Sequence, residues 1–298
     1  MQLLLLGKNG QLGWELRRQL EQDFDVLALG REDVDFRNTK FFADMLRDAP
    51  KFDMIINAAA FTNVAKAPHR PLDTELINST AVAILAEEAA RRGVPMIHCS
   101  CVHVFSGQCR RRPYREIDAP NPLSFLGSTK LDGELRLRSI LEQHLIFRLS
   151  GLYSAHHQNF FTEILTRNRK GILARVAADQ IISPNWTPLV AEAIVSVIQR
   201  LFWGDDIPWG TYHLSGSGCT TPYGFAHKIC EKINDVWGGD MPLPIPVRSR
   251  KTDCMAKRPK YSVLNSSKFN TTFRYTLPDW QEQFLRFFGG LDPRQVRQ

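Results

Sequence analysis

The sequence predicts an α/β protein built on a doubly wound parallel sheet, with a smaller C-terminal lobe beside it. Three observations carry that expectation. The chain opens on an apolar run, Leu3 to Leu6, which meets Gly7, Gly10 and Gly13 and then a helical pattern with Trp14, Leu16 and Leu20. Apolar runs of strand length then alternate with amphipathic stretches of helix length, the spacing of β-α-β units joined by short loops. Finally, 298 residues with 43% hydrophobic content can bury a core large enough for such a domain and a lobe.

A buried strand feeding a glycine turn and a helix N-terminus suits a dinucleotide's pyrophosphate, the Rossmann-type arrangement. Gly7 permits the tight turn, Gly10 lets the backbone approach phosphate oxygens, and Gly13 lets the helix pack close to the strand. Gln11 and Leu12, between the last two glycines, complete the cofactor-binding candidates. A plain strand-turn-helix with incidental glycines has the same letters, so context decides.

The second strand is Asp25 to Leu29, followed by Gly30 and Arg31. An acidic residue there would bind a ribose 2′-hydroxyl, whereas Arg31 can pair with a 2′-phosphate, so NADPH is expected over NADH. The alternative is an ordinary exposed arginine. Asn38 caps a helix with Phe41, Phe42, Met45 and Leu46 that Pro50 stops, and Asp53 to Asn57 reads as the third strand. Ala58, Ala59 and Ala60 follow it; such small residues let a flat cofactor lie against the backbone, or let a helix pack closely. A helix is expected from Asp73 to Arg92, then a fourth strand from Pro95 to Cys99, with Ser100 to Phe105 at the carboxyl edge where ligands bind in open α/β sheets.

The formal charge is +7, with Arg110, Arg111, Arg112 and Arg115 in one segment and Arg248, Arg250, Lys251, Lys257, Arg258 and Lys260 in another. Either these clusters meet anionic partners or they are a solvated surface. No nucleic-acid recognition motif accompanies them, and no nucleic-acid partner is expected. No run approaches the roughly 18 apolar residues of a membrane span, and the opening run has no basic flank for a signal peptide. A cytoplasmic protein without a membrane partner is expected. Six cysteines in a chain this long read as free thiols. His98, Cys99, Cys101, His103 and Cys109 cluster in sequence, but strand alternation turns His98 away from Cys99, Cys101 and His103, and no zinc spacing is met.

Farther on, Gly127-Ser128-Thr129-Lys130-Leu131-Asp132-Gly133-Glu134, Asp179-Gln180, Arg258-Pro259 and Leu264-Asn265 join Gly7 to Gly13 and Asn57 to Ala60 in one order and approximate spacing. With these motifs the chain resembles, over nearly its whole length, the dTDP-4-dehydrorhamnose reductases of the extended short-chain dehydrogenase superfamily. The resemblance implies a Rossmann domain for a nicotinamide cofactor, a lobe for the nucleotide-sugar substrate, and reduction of a 4-keto sugar to dTDP-L-rhamnose. Some relatives use Mg2+ at a dimer contact; a homodimer is compatible with this chain, but no acidic ligands for Mg2+ can be placed.

The chemistry departs from the pattern. Ketone reduction needs a proton for the developing alkoxide. The family supplies it with a Tyr-x-x-x-Lys pair, in which the lysine lowers the tyrosine's pKa and holds the ribose. Lys130 is present, but four residues earlier stands Leu126. The hydroxyl that would bind the substrate carbonyl becomes the Cys101 thiol, a weaker donor. Gly151 replaces a tryptophan of the sugar site, and Phe61, Ala65 and Pro68 replace polar residues. Losing a general acid costs about 100- to 10,000-fold in rate. Cys101 and His103, two apart on a strand, are expected to face one side, and His103 reads either as a replacement acid or as a hydrogen-bonded residue under the loop from Ser106. Tyr114 and Tyr153 are further phenols. The catalytic candidates are Lys130, Cys101 and His103, with Lys130 also holding the cofactor; Ser100 and Arg258, the latter for the substrate's phosphates, are the substrate-binding candidates.

The fifth strand is His144 to Leu149, and a helix begins at Asn159. Asp179 to Pro184 resembles the family's substrate loop, with Ile182 for its glycine. Pro188 to Trp203 is an amphipathic helix and Gly210 to Gly216 a returning strand. Thr220 or Thr221 caps a helix to about Trp237, Pro242 to Pro246 is a loop or edge strand, and Trp280 to Phe288 is the closing helix before a polar tail. Residues 1–170 are thus the nucleotide-binding domain, rejoined by 188–216, with 171–187 and 217–298 forming the substrate lobe. Two functions compete, a reductase with an altered acid and a non-catalytic protein that binds cofactor or nucleotide sugar, with nucleic-acid binding through the arginine clusters ranked last.

Overall fold

Each apolar run of the N-terminal half becomes a strand, and each amphipathic stretch a helix laid across it. The computed structural model describes residues 1–108, 112–238, 240–249 and 257–291. Arg110, Arg111, Cys109, Arg250, Lys251 and the tail beyond Leu291 lie outside the described residues. The elements run β1 (Gln2–Leu6), α1 (Gln11–Leu20), β2 (Asp25–Leu29), α2 (Thr39–Asp48), β3 (Met54–Asn57), α3 (Pro71–Glu75), α4 (Ala81–Arg92), β4 (Met96–Cys101), α5 (Phe125–Ile140) and β5 (His144–Leu149). Then come β6 (Gly151–Tyr153), α6 (Phe160–Arg169), β7 (Arg175–Ala177), β8 (Ile181–Ile182), β9 (Pro184–Trp186), α7 (Thr187–Phe202) and β10 (Gly210–Leu214). The chain closes with α8 (Pro222–Trp237), β11 (Ile245–Val247), β12 (Tyr261–Ser262), α9 (Ser267–Phe273) and α10 (Trp280–Gly289).

Six parallel strands form the main sheet in the order β10-β5-β4-β3-β1-β2. The chain leaves β1 toward β2 and returns to β3, so the topological switch point lies between β1 and β3, at Gly7 and Ala58. Alternation builds both layers. Leu3, Leu5, Met54, Ile56, Ile97 and Phe147 face α1 and α7, whereas Leu4, Leu6, Ile55, Met96 and Ile146 face α2, α4 and α5. Asn38 caps α2 by accepting from Phe41 N–H, as its chemistry suggested.

The lobe has its own aromatic core of Tyr153, Phe161, Phe225, Trp280, Phe284 and Phe287, on β6, α6, α8 and α10. Its strands are short parallel pairs, β6 with β9, β7 with β11 and β8 with β12. α9 departs from the expected boundary. Phe269 and Phe273 bury against Phe147 and Tyr212 of the main sheet, so this part of 217–298 packs on the nucleotide-binding core.

Two local departures shape the site. The expected helix from Asp73 to Arg92 is interrupted by a π-helical segment, Leu76–Thr80, that buries Asn78 and Ser79. Its backbone meets α5 so closely that a Cβ on Gly133 would lie 2.2 Å from the Asn78 carbonyl oxygen. Secondly, β4 runs on to Cys101 and the chain then turns into a 3-10 segment, Val102–Val104. Strand alternation therefore ends before His103, and the shared face expected for Cys101 and His103 is not formed.

Candidate active site

The site grows from the glycine turn. Gly7 has φ +91°, a conformation that favours glycine, and any Cβ there would lie 2.7 Å from Ala59 N. A Cβ on Gly13 would lie 2.0 Å from the Gly7 carbonyl oxygen, so α1 can approach β1 only with glycine at this position. Gly10 is the N-cap of α1 and supplies no side chain to cover the first turn. The cradle thus fits a dinucleotide's phosphates at a helix N-terminus. Leu12 is buried in the core, and Gln11 Nε2 donates to Thr187 Oγ1 at 2.7 Å, so both side chains serve packing and only their backbone borders the turn. Ala58, Ala59 and Ala60 line the other wall, partly exposed beyond the end of β3.

Arg31 is exposed beyond the end of β2. Its acidic neighbours are engaged: Glu32 accepts from Asn9 Nδ2 and pairs with Lys8 at 3.2 Å, and Asp33 pairs with Lys8 at 2.6 Å and accepts from Gly30 N–H. The Glu32 carboxyl is held below the usual range first by its own backbone N–H and then by Asn9 and Lys8, and that of Asp33 by Lys8 and the Gly30 N–H.

On the opposite side, α5 presents Lys130. Ser124 caps the helix, and Gly127 allows its first turn to sit against the His103 carbonyl, 2.3 Å from where a Cβ would stand. Lys130 is 3% exposed, and its Nζ donates to the Cys99 carbonyl at 2.8 Å and lies 3.4 Å from His98 Nε2. Burial lowers its pKa. One turn earlier, Leu126 is buried among Val64, Ala67, Phe61, Phe125 and Cys101, so apolar contact fills the surroundings where the resemblance sets a phenol. Asn78 holds Phe61 in this wall from both sides, accepting from its N–H at 2.9 Å and donating to its carbonyl at 3.1 Å. Burial pushes the Cys101 thiol up, which keeps it protonated and a poor proton donor.

Arg258, far from His103 in sequence, lies near enough in the fold for its charge to act on the imidazole. Burial and the Arg258 charge bring the imidazole down to about 4, and its Nδ1 is buried without a partner among the described residues. Arg258 itself is exposed. The segment behind it packs on the loop after His103, where a Cβ on Gly107 would strike Pro259. The other phenols belong to the framework. Tyr114 stacks on Phe105 and accepts from Gly107 N–H at 2.8 Å, and Tyr153 is buried in the lobe core with its pKa raised by desolvation. Gly151 is exposed with open space where a side chain would project.

Ser100, expected among the substrate-binding residues, has its hydroxyl engaged within the protein. It faces α5, is 3% exposed, and its hydroxyl donates to Glu134 Oε1 at 2.6 Å. Glu134 in turn accepts from Arg148 Nη2 at 2.6 Å, and both charges are almost fully buried. Glu134, His98 and Asn78 are the residues that sequence reasoning missed. Glu134 closes the conserved-order motif that contains Lys130, and an acidic residue one helical turn beyond a buried lysine was its only signal. His98 was legible only as a member of the His/Cys cluster. Among the described residues no group of three His, Cys, Asp or Glu side chains could hold a metal ion, and no helix is long and apolar enough to cross a membrane.

Comparison with known proteins agrees with this architecture end to end. The family model described as RmlD substrate binding domain matches residues 1–291. The dTDP-4-dehydrorhamnose reductase of Escherichia coli (strain K12) is 36% identical over an alignment of 301 residues covering 98% of each chain. That of Sinorhizobium fredii is 33% identical, again over 98% of each. Among solved structures, a dTDP-4-dehydrorhamnose reductase from Clostridium acetobutylicum superposes with a TM-score of 0.85 at 28% identity, covering 97% of this chain and 99% of that one. The Bacillus anthracis enzyme in complex with NADP gives 0.83 at 26% identity, covering 97% and 98%. With a glycine cradle at the β1/β3 switch point, a family-model match over residues 1–291 and relatives 33–36% identical over 98% of the chain, this protein belongs to the dTDP-4-dehydrorhamnose reductase family.

Proposed function

We propose that this protein is a nicotinamide-dependent reductase of a 4-keto nucleotide sugar, converting dTDP-4-dehydrorhamnose to dTDP-L-rhamnose with an altered proton-delivery site. The observation that carries the reading is the intact glycine cradle within a full-length match to reductases, one of them solved with NADP. When bound, the dihydronicotinamide supplies the hydride. Arg31 supports NADPH, because the neighbouring carboxylates are engaged by Lys8 and Asn9 and the guanidinium is exposed to meet a 2′-phosphate. Lys130 holds the ribose from α5, and Arg258, exposed beside His103, meets the pyrophosphate of the nucleotide sugar.

Three candidates compete to deliver the proton. Cys101 has a raised pKa, and His103, at about 4, is protonated in only about one molecule in a thousand at pH 7. Lys130 remains: burial brings an ammonium toward the range in which it can release a proton to an alkoxide. The site is therefore expected to be slow.

The test is NADPH oxidation with dTDP-4-dehydrorhamnose at high protein concentration, beside a Leu126→Tyr variant, with NADPH binding measured separately. Turnover by the unmodified protein, rising in the variant, is the expected result. Tyrosine in the cluster around Leu126 costs about 1–3 kcal/mol in overpacking, so folding of the variant is checked by circular dichroism. Cofactor bound without turnover in either protein would overturn the reading in favour of a non-catalytic binding protein, which the apolar wall around Leu126 favours.

A further inference from the structure

A chain of buried polar groups runs from β3 through β4 to α5. Asn57 and His98 are 0% exposed and Lys130 is 3% exposed. Asn57 is oriented by its own loop: Oδ1 accepts from Ala59 N–H at 3.0 Å, which turns the Nδ2 amide toward His98 Nδ1 at 3.2 Å. A donor at that position needs a lone pair on Nδ1. A neutral imidazole carries one N–H, so the hydrogen of His98 sits on Nε2.

That N–H points at Lys130 Nζ, 3.4 Å away. An ammonium has no lone pair and would set hydrogen against hydrogen. An amine satisfies both neighbours, donating to the Cys99 carbonyl at 2.8 Å and accepting from His98 Nε2–H. Burial outweighs the neighbouring charges. On β4 the Cys99 and Cys101 thiols are both pushed up by burial and stay uncharged. On α5 the Glu134 carboxylate favours the ammonium, against the larger effect of burial, while it also pairs with Arg148 of β5. Burial lowers both His98 and Lys130, and the Lys130 charge further disfavours a proton on His98.

We propose that His98, set by Asn57, is a positioning residue whose Nε2–H hydrogen-bonds the lone pair of the Lys130 amine, stabilising the lysine after it has released a proton. This rests on the reductase reading for the proton's destination only. In that reaction the N–H bond of the ammonium breaks and an O–H bond forms on the alkoxide left by hydride addition; the amine then accepts from His98 until solvent reprotonates it.

The experiment uses the unliganded full chain, so it does not depend on turnover. Long-range proton–nitrogen NMR reads the His98 tautomer, and the Cε resonance of isotopically labelled Lys130, assigned with Lys130→Arg, reads its titration. We expect His98 neutral with hydrogen on Nε2, and Lys130 titrating well below the exposed lysines. His98→Leu, which removes the donor, should raise the Lys130 midpoint, and His98→Gln, whose amide can donate, should restore it. Hydrogen on Nδ1, or Lys130 titrating with the exposed lysines, would overturn the proposal even if both variants fail to fold. An unmoved Lys130 midpoint in a folded His98→Leu protein would do the same. Absent turnover with these NMR results intact would count against the reductase reading and leave the His98 assignment standing.

Discussion

Removing the negative charge of Glu134 should cost this protein a large share of its stability. Glu134 is 0% exposed, accepts from Arg148 Nε at 3.0 and 3.1 Å and from Nη2 at 2.6 Å, and receives the Ser100 hydroxyl at 2.6 Å. Arg148 is 1% exposed and lies over the Phe105 ring at 5.1 Å, and its Nη1 has no hydrogen-bond partner among the described residues. In Glu134→Gln the guanidinium stays buried without a counter-charge, a loss of about 3–5 kcal/mol. Against a total stability of roughly 5–15 kcal/mol, that is on the order of a third. The double variant Glu134→Leu/Arg148→Met removes both charges and should recover most of the loss, since paired hydrophobic replacements of buried ion pairs are often neutral. Urea unfolding followed by circular dichroism and tryptophan fluorescence measures both. A Glu134→Gln loss below about 1 kcal/mol, or a double variant no more stable than the single one, would refute the reasoning. Because Glu134 sits one turn beyond Lys130 and ties the end of β4 to α5, the single variant should also weaken cofactor binding.

Two further outcomes follow from the electrostatics. Arg31→Ala should raise the Kd for NADPH by about tenfold or more while leaving NADH nearly unchanged, the scale of one lost charge-assisted contact of roughly 1.5–3 kcal/mol; equal effects on both cofactors, by fluorescence titration, would remove Arg31 from the 2′-phosphate site. His98 and His213 are both fully buried and depressed, His213 to about 3, so on unfolding each takes up a proton once pH falls below the ordinary histidine value. Their contribution is present above about pH 6.5 and is lost as pH falls toward the folded values, because the unfolded state binds more protons in that window. Urea midpoints should therefore decline from about pH 6.5 to 5, before most carboxylates titrate, and a flat profile there would contradict the buried neutral pair.

The order of strands and helices was legible in the sequence because period-two and period-3.6 patterns are local properties of the chain. Gly10 and Gly13 announced the cradle for the same reason, since a Cβ on either would meet the Gly7 carbonyl nearby in sequence, whereas the close approach of Gly7 to Ala59 is set by the sheet. The absence of a phenol at Leu126 was equally plain. What lay beyond the sequence were partnerships across the fold. Ser100 was read as facing a ligand, yet Glu134 of α5 captures its hydroxyl; His103 was read as strand, yet β4 ends at Cys101 and the 3-10 turn takes the imidazole into the reach of the Arg258 charge. Residues 267–273 were assigned to the lobe, whereas Phe269 and Phe273 bury on the sheet. Likewise, only the folded chain brings Asn57 to one side of His98 and Lys130 to the other. Local pattern determines which backbone conformation each segment takes, but desolvation and hydrogen bonding between distant segments decide what a buried polar side chain can do.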